Sequence, residues 1–272
     1  MRLRSLLYVP AHSERFIAKA HERGADALIL DLEDAVPEAD KDAARAGLAE
    51  AVAQVGRNGA PVFVRVNVGA RQDEDAIAAC RAGAVGLVVP KAESGEELER
   101  LADLLAAEEA RLGRAAMPLI TTIESPAGLL DARAIAKVPR VIALHLGSED
   151  FVLATGGAPT PDVLRLPKLL VHYAAKAEGK LSLGLLQSIA DYQDVAGLER
   201  ATAEARSHGF DGATCVHPAV VPVLNAGFAA TEAERDWAHG VLAAAEGRGG
   251  PFAHDGRMVD LPVIARARRI LE

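Results

Sequence analysis

Two acidic residues stand near the ends of apolar runs in the middle of the chain. Glu124 closes the run at 118–125, and Asp150 closes the run at 141–150. If these runs are consecutive parallel strands, both carboxylates project at the same edge of the sheet. Two carboxylates that leave room for water and substrate oxygens are a typical Mg2+ environment. We therefore predict a magnesium site at Glu124 and Asp150. The alternatives are a helix cap or a salt bridge for either residue, and Glu149 in place of Asp150, because neighbouring residues of a strand face opposite sides.

A basic and polar set accompanies this pair. Arg65 and Asn67 are two residues apart in the run at 61–67, so we expect them to face the same way on a strand. An arginine in a barrel mouth needs a carboxylate partner, which is either Glu33 or Asp34 of the chain or a substrate carboxylate. Lys91, in the run at 86–93, could be a Schiff-base nucleophile. A metal pair in the same mouth makes that redundant, so we expect Lys91 to form an ion pair or to contact substrate.

Other catalytic signatures are absent from the sequence. No histidine and cysteine spacing resembles a zinc site, no glycine-rich dinucleotide motif follows a strand, and no Walker-type loop occurs. His217, after the eighth apolar run, is more consistent with a structural hydrogen bond than with a general base. Cys80 and Cys215 are read as reduced fillers of a protein interior.

The elements that must position these residues follow a regular order. Apolar runs rich in Val and Ile, which suit parallel strands buried on both faces, alternate with stretches of helical spacing. The runs lie at 5–10, 27–34, 61–67, 86–93, 118–125, 141–150, 181–186 and 212–218. Eight repeats of strand and helix predict an α/β protein, a (β/α)8 TIM barrel at 1–218, with its active site at the C-terminal ends of the strands.

The chain continues beyond the predicted barrel with a C-terminal helical extension and lid at 219–272. Helical spacing occurs at 219–228, at 231–246 and around 262–271, and a glycine-rich stretch at 247–251 precedes a polar segment at 255–260. A glycine hinge next to a polar segment is what a mobile lid requires. The alternative is an extension that packs on the barrel or on a neighbouring subunit.

Composition narrows the class of protein. Half of the 272 residues are apolar, and the formal net charge is −8 without a basic cluster to offset it. This charge argues against binding of nucleic acid or of an anionic membrane. No signal-peptide pattern opens the sequence and no apolar run approaches the length of a membrane span, so a cytoplasmic protein is expected.

The ordered motifs resemble those of a known family. LYVPAHSERFIAKA, LDLEDAVPEADKDAAR, VRVN, VVPKAES, TIES, GSEDF and GFDGATCVHP are similar to successive motifs of the citrate lyase beta-subunit-like proteins, within the HpcH/HpaI aldolase group. The tail DGRMVDLP is similar to the lid of the stand-alone CoA-ester lyases, the malyl-CoA and citramalyl-CoA lyases. The resemblance implies a Mg2+-dependent barrel of the phosphoenolpyruvate/pyruvate type that forms a homotrimer or a hexamer.

The resemblance also implies roles for particular residues. Glu124 and Asp150 match the metal ligands of the family and Arg65 its substrate-contacting arginine, whereas Asp260 matches a lid aspartate that acts as acid or base from the adjacent subunit. The positions at which relatives contact CoA correspond to Tyr8, Arg15, Lys19, Lys41 and Arg45. For Arg15 and Lys19, an ordinary solvated helix face is the alternative.

One stretch, at 185–194, departs from the family pattern. Leu186 or Gln187 stands where relatives often carry an aspartate, although Asp191 and Asp194 are present. The acyl or keto group is therefore left open. We expect a Mg2+-dependent carbon–carbon lyase that acts on a 3-hydroxyacyl-CoA such as malyl-CoA or citramalyl-CoA and yields a keto acid and acetyl-CoA. The alternatives are an aldolase for a free 4-hydroxy-2-oxo acid, a malyl-CoA thioesterase, and a citrate-lyase-type beta subunit active only in a complex.

Overall fold

Eight parallel strands form one sheet in the computed structural model, which describes residues 2–187 and 193–272. The strands are β1 Ser5–Pro10, β2 Ala27–Asp31, β3 Val62–Arg65, β4 Gly86–Val89, β5 Leu119–Ile123, β6 Val141–Leu146, β7 Leu181–Ser182 and β8 Ala213–Cys215. Their order in space is β7-β6-β5-β4-β3-β2-β1-β8. A parallel bridge between Leu183 and Gly212 joins the two ends of this order. The predicted (β/α)8 barrel is thereby confirmed.

Except for β1, the strands are shorter than the apolar runs that predicted them. Every residue of β2, β4 and β5 is buried, as expected for strands covered on both faces. The strands end at Asp31, Arg65 and Ile123, however, so that Glu33, Asn67 and Glu124 stand in the loops that follow. The residues predicted to do chemistry therefore lie at the C-terminal edge of the barrel, mostly beyond the ladder hydrogen bonds.

Helices cover the outside of the barrel. They are α1 Glu14–Ala20, α2 Lys41–Ala46, α3 Leu48–Val55, α4 Gln72–Ala82, α5 Gly95–Leu112, α6 Pro126–Lys137, α7 Ser148–Thr155, α8 Pro161–Ala177, α9 Val195–His208 and α10 Val221–Gly227. Helices α5 and α6 begin at serine caps, since Ser94 Oγ accepts a hydrogen bond from Glu97 N and Ser125 Oγ accepts one from Gly128 N. None of the helices in the described ranges has both the length and the apolar character that a membrane span requires.

Two layers of apolar side chains hold this part of the chain together. One fills the inside of the barrel and includes Leu6, Ile29, Phe63 and Ile120, all fully buried. The other lies between the strands and the surrounding helices. Because the barrel interior is filled, a ligand can enter only at the rim.

The chain divides into two compact units, and the division falls at Phe228 rather than after residue 218. Helix α10 belongs to the first unit because it packs on α9 and β1. The second unit, Ala229–Glu272, consists of α11 Glu232–Ala245, the strands β9 Phe252–His254 and β10 Arg257–Val259, and α12 Leu261–Leu271.

The second unit has a small core of its own, formed by Ala238, Val241, Val259 and Ala267. Its polar segment at 255–260 includes the turn and the second strand of a hairpin, because β9 and β10 pair antiparallel. The turn residues Asp255 and Gly256 both have positive φ, of 49° and 71°. An Asp-Gly pair with two positive φ angles is a preferred two-residue hairpin turn.

Candidate active site

Glu124 is a buried carboxylate directly after β5. Its side chain is 5% exposed, and its Oε2 atom has no hydrogen-bond partner in the part of the chain that the structure describes. Burial, together with the negative charges of Glu33 and Asp150, raises the pKa of Glu124 to about 8. A Cβ atom at Gly147 would lie 2.6 Å from Glu124 Cγ, so glycine is needed there to admit the carboxylate. None of the described cations forms an ion pair with this carboxylate, and the more distant charges of Lys91 and Arg65 do not offset its burial.

Asp150 lies in the first turn of α7 and not on a strand, which corrects the sequence prediction. Strand β6 ends at Leu146, four residues earlier, because the chain turns at Gly147 to start the helix. The helix also separates the two neighbouring acids. Asp150 is half-buried and its charge acts on Glu124 and Lys91, whereas Glu149 is exposed and acts on Lys168. This favours Asp150 over Glu149 as the second acid of the pair.

The two acids fit a hard divalent cation. Among the described residues no group of three or more His, Cys, Asp or Glu side chains converges as a metal site, so the protein offers two carboxylates and leaves the remaining positions to water or a ligand. The unpartnered buried oxygen of Glu124 and its raised pKa fit a carboxylate to which a divalent cation would supply the missing positive charge. Glu124 and Asp150 are therefore the residues that could hold a divalent cation here.

Arg65 is held by carboxylates of strand β2 and the loop after it. Its Nε and Nη2 atoms donate to the two oxygens of Asp31, at 2.7 and 2.6 Å. Its Nη1 atom lies 2.8 Å from Glu33 Oε2 and 3.0 Å from Asp34 Oδ2. Burial opposes the positive charge, but these partners outweigh it and raise the pKa of Arg65 above its usual value. The guanidinium is thus held in place by the protein's own carboxylates.

Asp31 is a residue that the sequence reasoning missed. It is the register partner of Arg65 across β2 and β3, so the two side chains leave neighbouring strands at the same height. The available signal was its spacing, since Asp31 and Glu33 are two residues apart and alternate residues of a strand share a face.

Lys91 forms an ion pair with Glu33, whose Oε1 atom lies 3.1 Å from Nζ. The backbone of Lys91 has a φ of 50°, a left-handed value that is uncommon outside glycine and asparagine. Burial raises the pKa of Glu33, and the charges of Arg65 and Lys91 act in the opposite direction. Glu33, Asp34, Arg65 and Lys91 therefore form one charged cluster next to Glu124.

Asn67 belongs to a different group of contacts. Its backbone N and its Nδ2 both donate to Asp75 Oδ2, at 2.9 and 2.8 Å, and its Oδ1 accepts from Lys41 Nζ at 2.5 Å. Arg45 also binds Asp75, with 3.1 Å between Nη1 and Oδ1. The expectation that Asn67 faces the same way as Arg65 is therefore wrong, because β3 ends at Arg65 and strand alternation stops there.

The other three residues predicted to contact CoA lie in two places. Tyr8, on β1, has its ring 4.9 Å from the Arg65 guanidinium carbon, and burial raises the pKa of its hydroxyl. Arg15 and Lys19 are exposed on α1. Neither forms an ion pair with another described residue, so both cations are open to solvent. The five residues predicted to contact CoA therefore do not form a single contact group.

The departing stretch after β7 is only partly described. Residue Asp191 lies outside the described residues, which omit 188–192. Leu186 is buried, and the Nζ atom of Lys168 donates to the carbonyls of Leu185 and Gln187, at 2.7 and 2.9 Å. Asp194 caps α9 through a hydrogen bond from Gly197 N.

Asp260 lies in the second unit, directly after β10. It is the N-cap residue of α12, and its Oδ1 accepts a hydrogen bond from Val263 N at 3.3 Å. The side chain is half-buried. One carboxylate oxygen thus holds the start of the helix, which fixes the direction of the other.

The chain is similar to known proteins over nearly its whole length. Residues 4–218 match the family described as HpcH/HpaI aldolase/citrate lyase. A citrate lyase subunit beta-like protein of Deinococcus radiodurans is 35% identical over 99% of this chain and 96% of its own length. A (3S)-malyl-CoA thioesterase of Cereibacter sphaeroides is 34% identical over 98% of this chain and 93% of its own length.

A solved structure agrees with these relatives over nearly the whole chain. The protein CitE of Mycobacterium tuberculosis, in complex with magnesium, acetoacetate and coenzyme A, superimposes with a TM-score of 0.79 and 31% sequence identity. The match covers 98% of this chain and 96% of that one. The chain therefore belongs to the HpcH/HpaI aldolase/citrate lyase family.

Proposed function

We propose that the chain is a Mg2+-dependent carbon–carbon lyase that cleaves or forms a 3-hydroxyacyl-CoA such as malyl-CoA or citramalyl-CoA, with a keto acid and acetyl-CoA as the other side of the reaction. The observation that carries the proposal is Glu124, a buried carboxylate with an unpartnered oxygen next to Asp150 at the barrel rim. The complex of the Mycobacterium tuberculosis relative with magnesium and coenzyme A supports the same ligands here.

Glu124 and Asp150 would hold the cation. When bound, Mg2+ supplies a Lewis acid that polarises the hydroxyl or carbonyl oxygen next to the bond that breaks. Glu124 can bind it without a rearrangement of its surroundings, because burial and Gly147 already fix the carboxylate in place. This preorganisation lowers the cost of holding the reactants in register.

Arg65 orients the carboxylate end of the substrate in this proposal. The Nη2 group donates one N–H to Asp31, and its second N–H has no acceptor within residues 2–187 and 193–272. This N–H of the fixed guanidinium can donate one directed hydrogen bond to a substrate oxygen. The positive charge of Arg65 is already neutralised by Asp31, Glu33 and Asp34, so the contact orients the substrate oxygen rather than balancing its charge. Lys91 contributes a second positive charge at the same rim, where it pairs with Glu33.

Asp260, supplied by an adjacent subunit as the resemblance to the CoA-ester lyases implies, is the proposed acid and base for the acetyl carbon. In cleavage a base takes the hydroxyl proton of the substrate as the carbon–carbon bond breaks, and Asp260 would donate a proton to the acetyl carbon that leaves the keto acid. In condensation Asp260 would remove that proton. Its cap hydrogen bond to Val263 N leaves a second oxygen for this transfer. The exposed side chains of Met258 and Leu261 on either side are 70% and 80% accessible, and they would exclude water from a thioester that they cover.

Arg15 and Lys19 are the proposed contacts of the CoA phosphates. Both are exposed cations without an ion-pair partner among the described residues, so a phosphate can bind them without breaking an ion pair. Lys41 and Arg45 are less available, because they bind Asn67 and Asp75. We also propose that the chain forms a homotrimer or a hexamer, because it resembles the CoA-ester lyases. Light scattering of the purified chain measures this oligomeric state directly.

Hydrolysis of the thioester is a second candidate activity. It is favoured by one observation, the 34% identity to a (3S)-malyl-CoA thioesterase over almost the full length of both chains. The two activities differ in their products, since a lyase releases acetyl-CoA and a keto acid whereas a thioesterase releases free CoA and a hydroxy acid.

The test is an assay of malyl-CoA and citramalyl-CoA cleavage with Mg2+ and with EDTA. We expect keto acid and acetyl-CoA with Mg2+, and loss of turnover in EDTA. Equal turnover in both conditions removes the metal from the proposal, and free CoA without keto acid replaces the lyase by the thioesterase. Two variants change neighbouring acids of the same helical turn. Asp150→Asn is the test, and Glu149→Gln is its matched control. Only Asp150→Asn should raise the Mg2+ concentration needed for half-maximal rate.

A further inference from the structure

A buried hydrogen-bonded pair lies beside the candidate site and has no role in the proposed mechanism. Nε2 of His145, on β6, is 2.9 Å from Oγ1 of Thr122, on β5. The two residues are register partners in the β5–β6 ladder, and they are 7% and 3% exposed. A buried imidazole is costly unless its polar atoms are paired. The inside of the barrel is otherwise filled with apolar side chains, so a buried histidine is unusual there.

The pair faces the inside of the barrel, below the carboxylate site. Ile120 and Ala143 belong to the apolar cluster that fills the barrel, and Thr122 and His145 lie two residues further along the same strands. Alternate residues of a strand share a face, so both side chains point inward. Glu124 lies two residues beyond Thr122, at the rim. The pair thus forms part of the floor beneath Glu124.

One nitrogen of His145 is left without a protein partner. Its Nε2 atom binds Thr122, whereas no residue in the described ranges hydrogen-bonds Nδ1. Nδ1 is also not among the fully enclosed unpaired polar atoms of those ranges, so this nitrogen is not completely sealed off.

The ring is neutral. Burial, followed by the positive charges of Arg65 and Lys168, lowers the pKa of His145 to about 3. A neutral imidazole has one N–H and one lone pair, so it pairs with a hydroxyl or a carbonyl as donor or acceptor without adding charge.

The charges around the mouth select the kind of group that fits there. Five carboxylates, Asp31, Glu33, Asp34, Glu124 and Asp150, face two cations, Arg65 and Lys91. With a divalent cation bound the mouth still carries no excess of positive charge, so a further carboxylate on the substrate is disfavoured. A methyl group of the substrate next to Nδ1 of His145 would leave that nitrogen unpaired and desolvated, which is also unfavourable.

On the basis of the proposed lyase function, we propose that Nδ1 of His145 recognises an uncharged oxygen substituent, a hydroxyl, on the oxo-acid half of the substrate. The small oxo acid is the half that fits the floor of the mouth, because the filled barrel interior below excludes a larger group. Thr122 holds the ring so that Nδ1 faces this substituent. His145 is then a specificity-determining residue, and the preferred oxo acid is a hydroxylated one rather than its alkyl analogue.

Hydroxypyruvate and 2-oxobutyrate test this inference, because they differ only by a terminal hydroxyl in place of a methyl group. Their dissociation constants are measured by titration calorimetry on the full chain with Mg2+. We expect the wild-type protein to bind hydroxypyruvate about tenfold more tightly, as one hydrogen bond to a buried group would give.

Two variants separate recognition from a structural role. His145→Asn keeps a polar atom near the position of Nδ1, and His145→Gln keeps one near Nε2, within reach of Thr122. We expect the preference to persist in His145→Asn and to fall below about twofold in His145→Gln, with circular dichroism to show that both fold. In protein labelled with 15N-histidine, hydroxypyruvate should shift the Nδ1 resonance of one histidine, and His145→Asn should remove that signal.

The outcomes distinguish this inference from the proposed function. A preference that is absent in wild type, or unchanged in both variants, overturns the role of His145. If malyl-CoA or citramalyl-CoA is still cleaved in that case, the lyase function stands alone. If neither oxo acid binds with Mg2+ and no thioester is cleaved, both the inference and the proposed function are overturned.

Discussion

Replacement of Glu124 by glutamine should make the metal-free protein less sensitive to pH. The pKa of Glu124 rises from an ordinary value of 4.5 to about 8, so the folded state keeps a proton that the unfolded chain releases. Between these two values the native state binds more protons than the unfolded state, and the free energy of unfolding therefore falls as pH rises. Above about pH 8 the carboxylate is ionised in both states and the loss is complete.

The size of this effect follows from the distance between the two pKa values. A pKa of about 8 in the folded state against 4.5 in the unfolded chain implies about 3 kcal/mol lost between pH 5.5 and pH 8.5, because each pH unit between them costs about 1.4 kcal/mol. Entry of water or movement of the side chain reduces this loss of stability, so we expect the free energy of unfolding to fall by about 1–3 kcal/mol. Glutamine has no proton to lose, so Glu124→Gln should remove this part of the pH dependence.

The assay is urea unfolding in EDTA at pH 5.5 and at pH 8.5. Circular dichroism is the appropriate signal, because the single tryptophan, Trp237, lies in the second unit and does not report on the barrel. Glu149→Gln is the matched control, since it removes an exposed carboxylate near the same site. Saturating Mg2+ should restore stability to the wild type at pH 8.5 but not to Glu124→Gln. If wild type and Glu124→Gln lose the same free energy between the two pH values, the explanation of the buried carboxylate is wrong.

Three further predictions concern the residues around this carboxylate and the second unit. Asp31→Asn should destabilise the protein by about 2–4 kcal/mol, because it removes the bidentate partner of a buried arginine, whereas Asp34→Asn, at a side chain 56% exposed, should cost less than about 1 kcal/mol in the same urea titration. Gly147→Ala should weaken Mg2+ binding at least tenfold by calorimetry, since the new Cβ would lie 2.6 Å from Glu124 Cγ; unchanged affinity would contradict the fitted position of the carboxylate. Asp260→Ala should lower kcat by two or more orders of magnitude with Mg2+ affinity unchanged, and a rate within a few-fold of wild type would exclude it as the acid or base.

The barrel and Glu124 could be predicted from the sequence because they depend on local signals. A strand covered on both faces must be apolar throughout, so each of the eight strands is visible as an apolar run. Glu124 is found in the same way, since it directly follows such a run and the C-terminal ends of parallel strands meet at one rim. Motif order then indicated the family.

The details of the site depended on where each strand stops. Asp150 was expected on a strand but lies on a helical turn, and Asn67 was expected beside Arg65 but binds Asp75. Both errors have one cause, because alternation of side chains holds only while ladder hydrogen bonds continue, and those bonds come from neighbouring strands rather than from the residues themselves.

What the sequence by itself determined is the set of elements and the presence of acids and bases at their ends, since burial of apolar side chains imposes a pattern on every strand and helix. The tertiary structure alone decided the pairings, namely Arg65 with Asp31 and His145 with Thr122. Those contacts depend on the register between strands that are far apart in sequence, and register is set by the closure of the whole barrel.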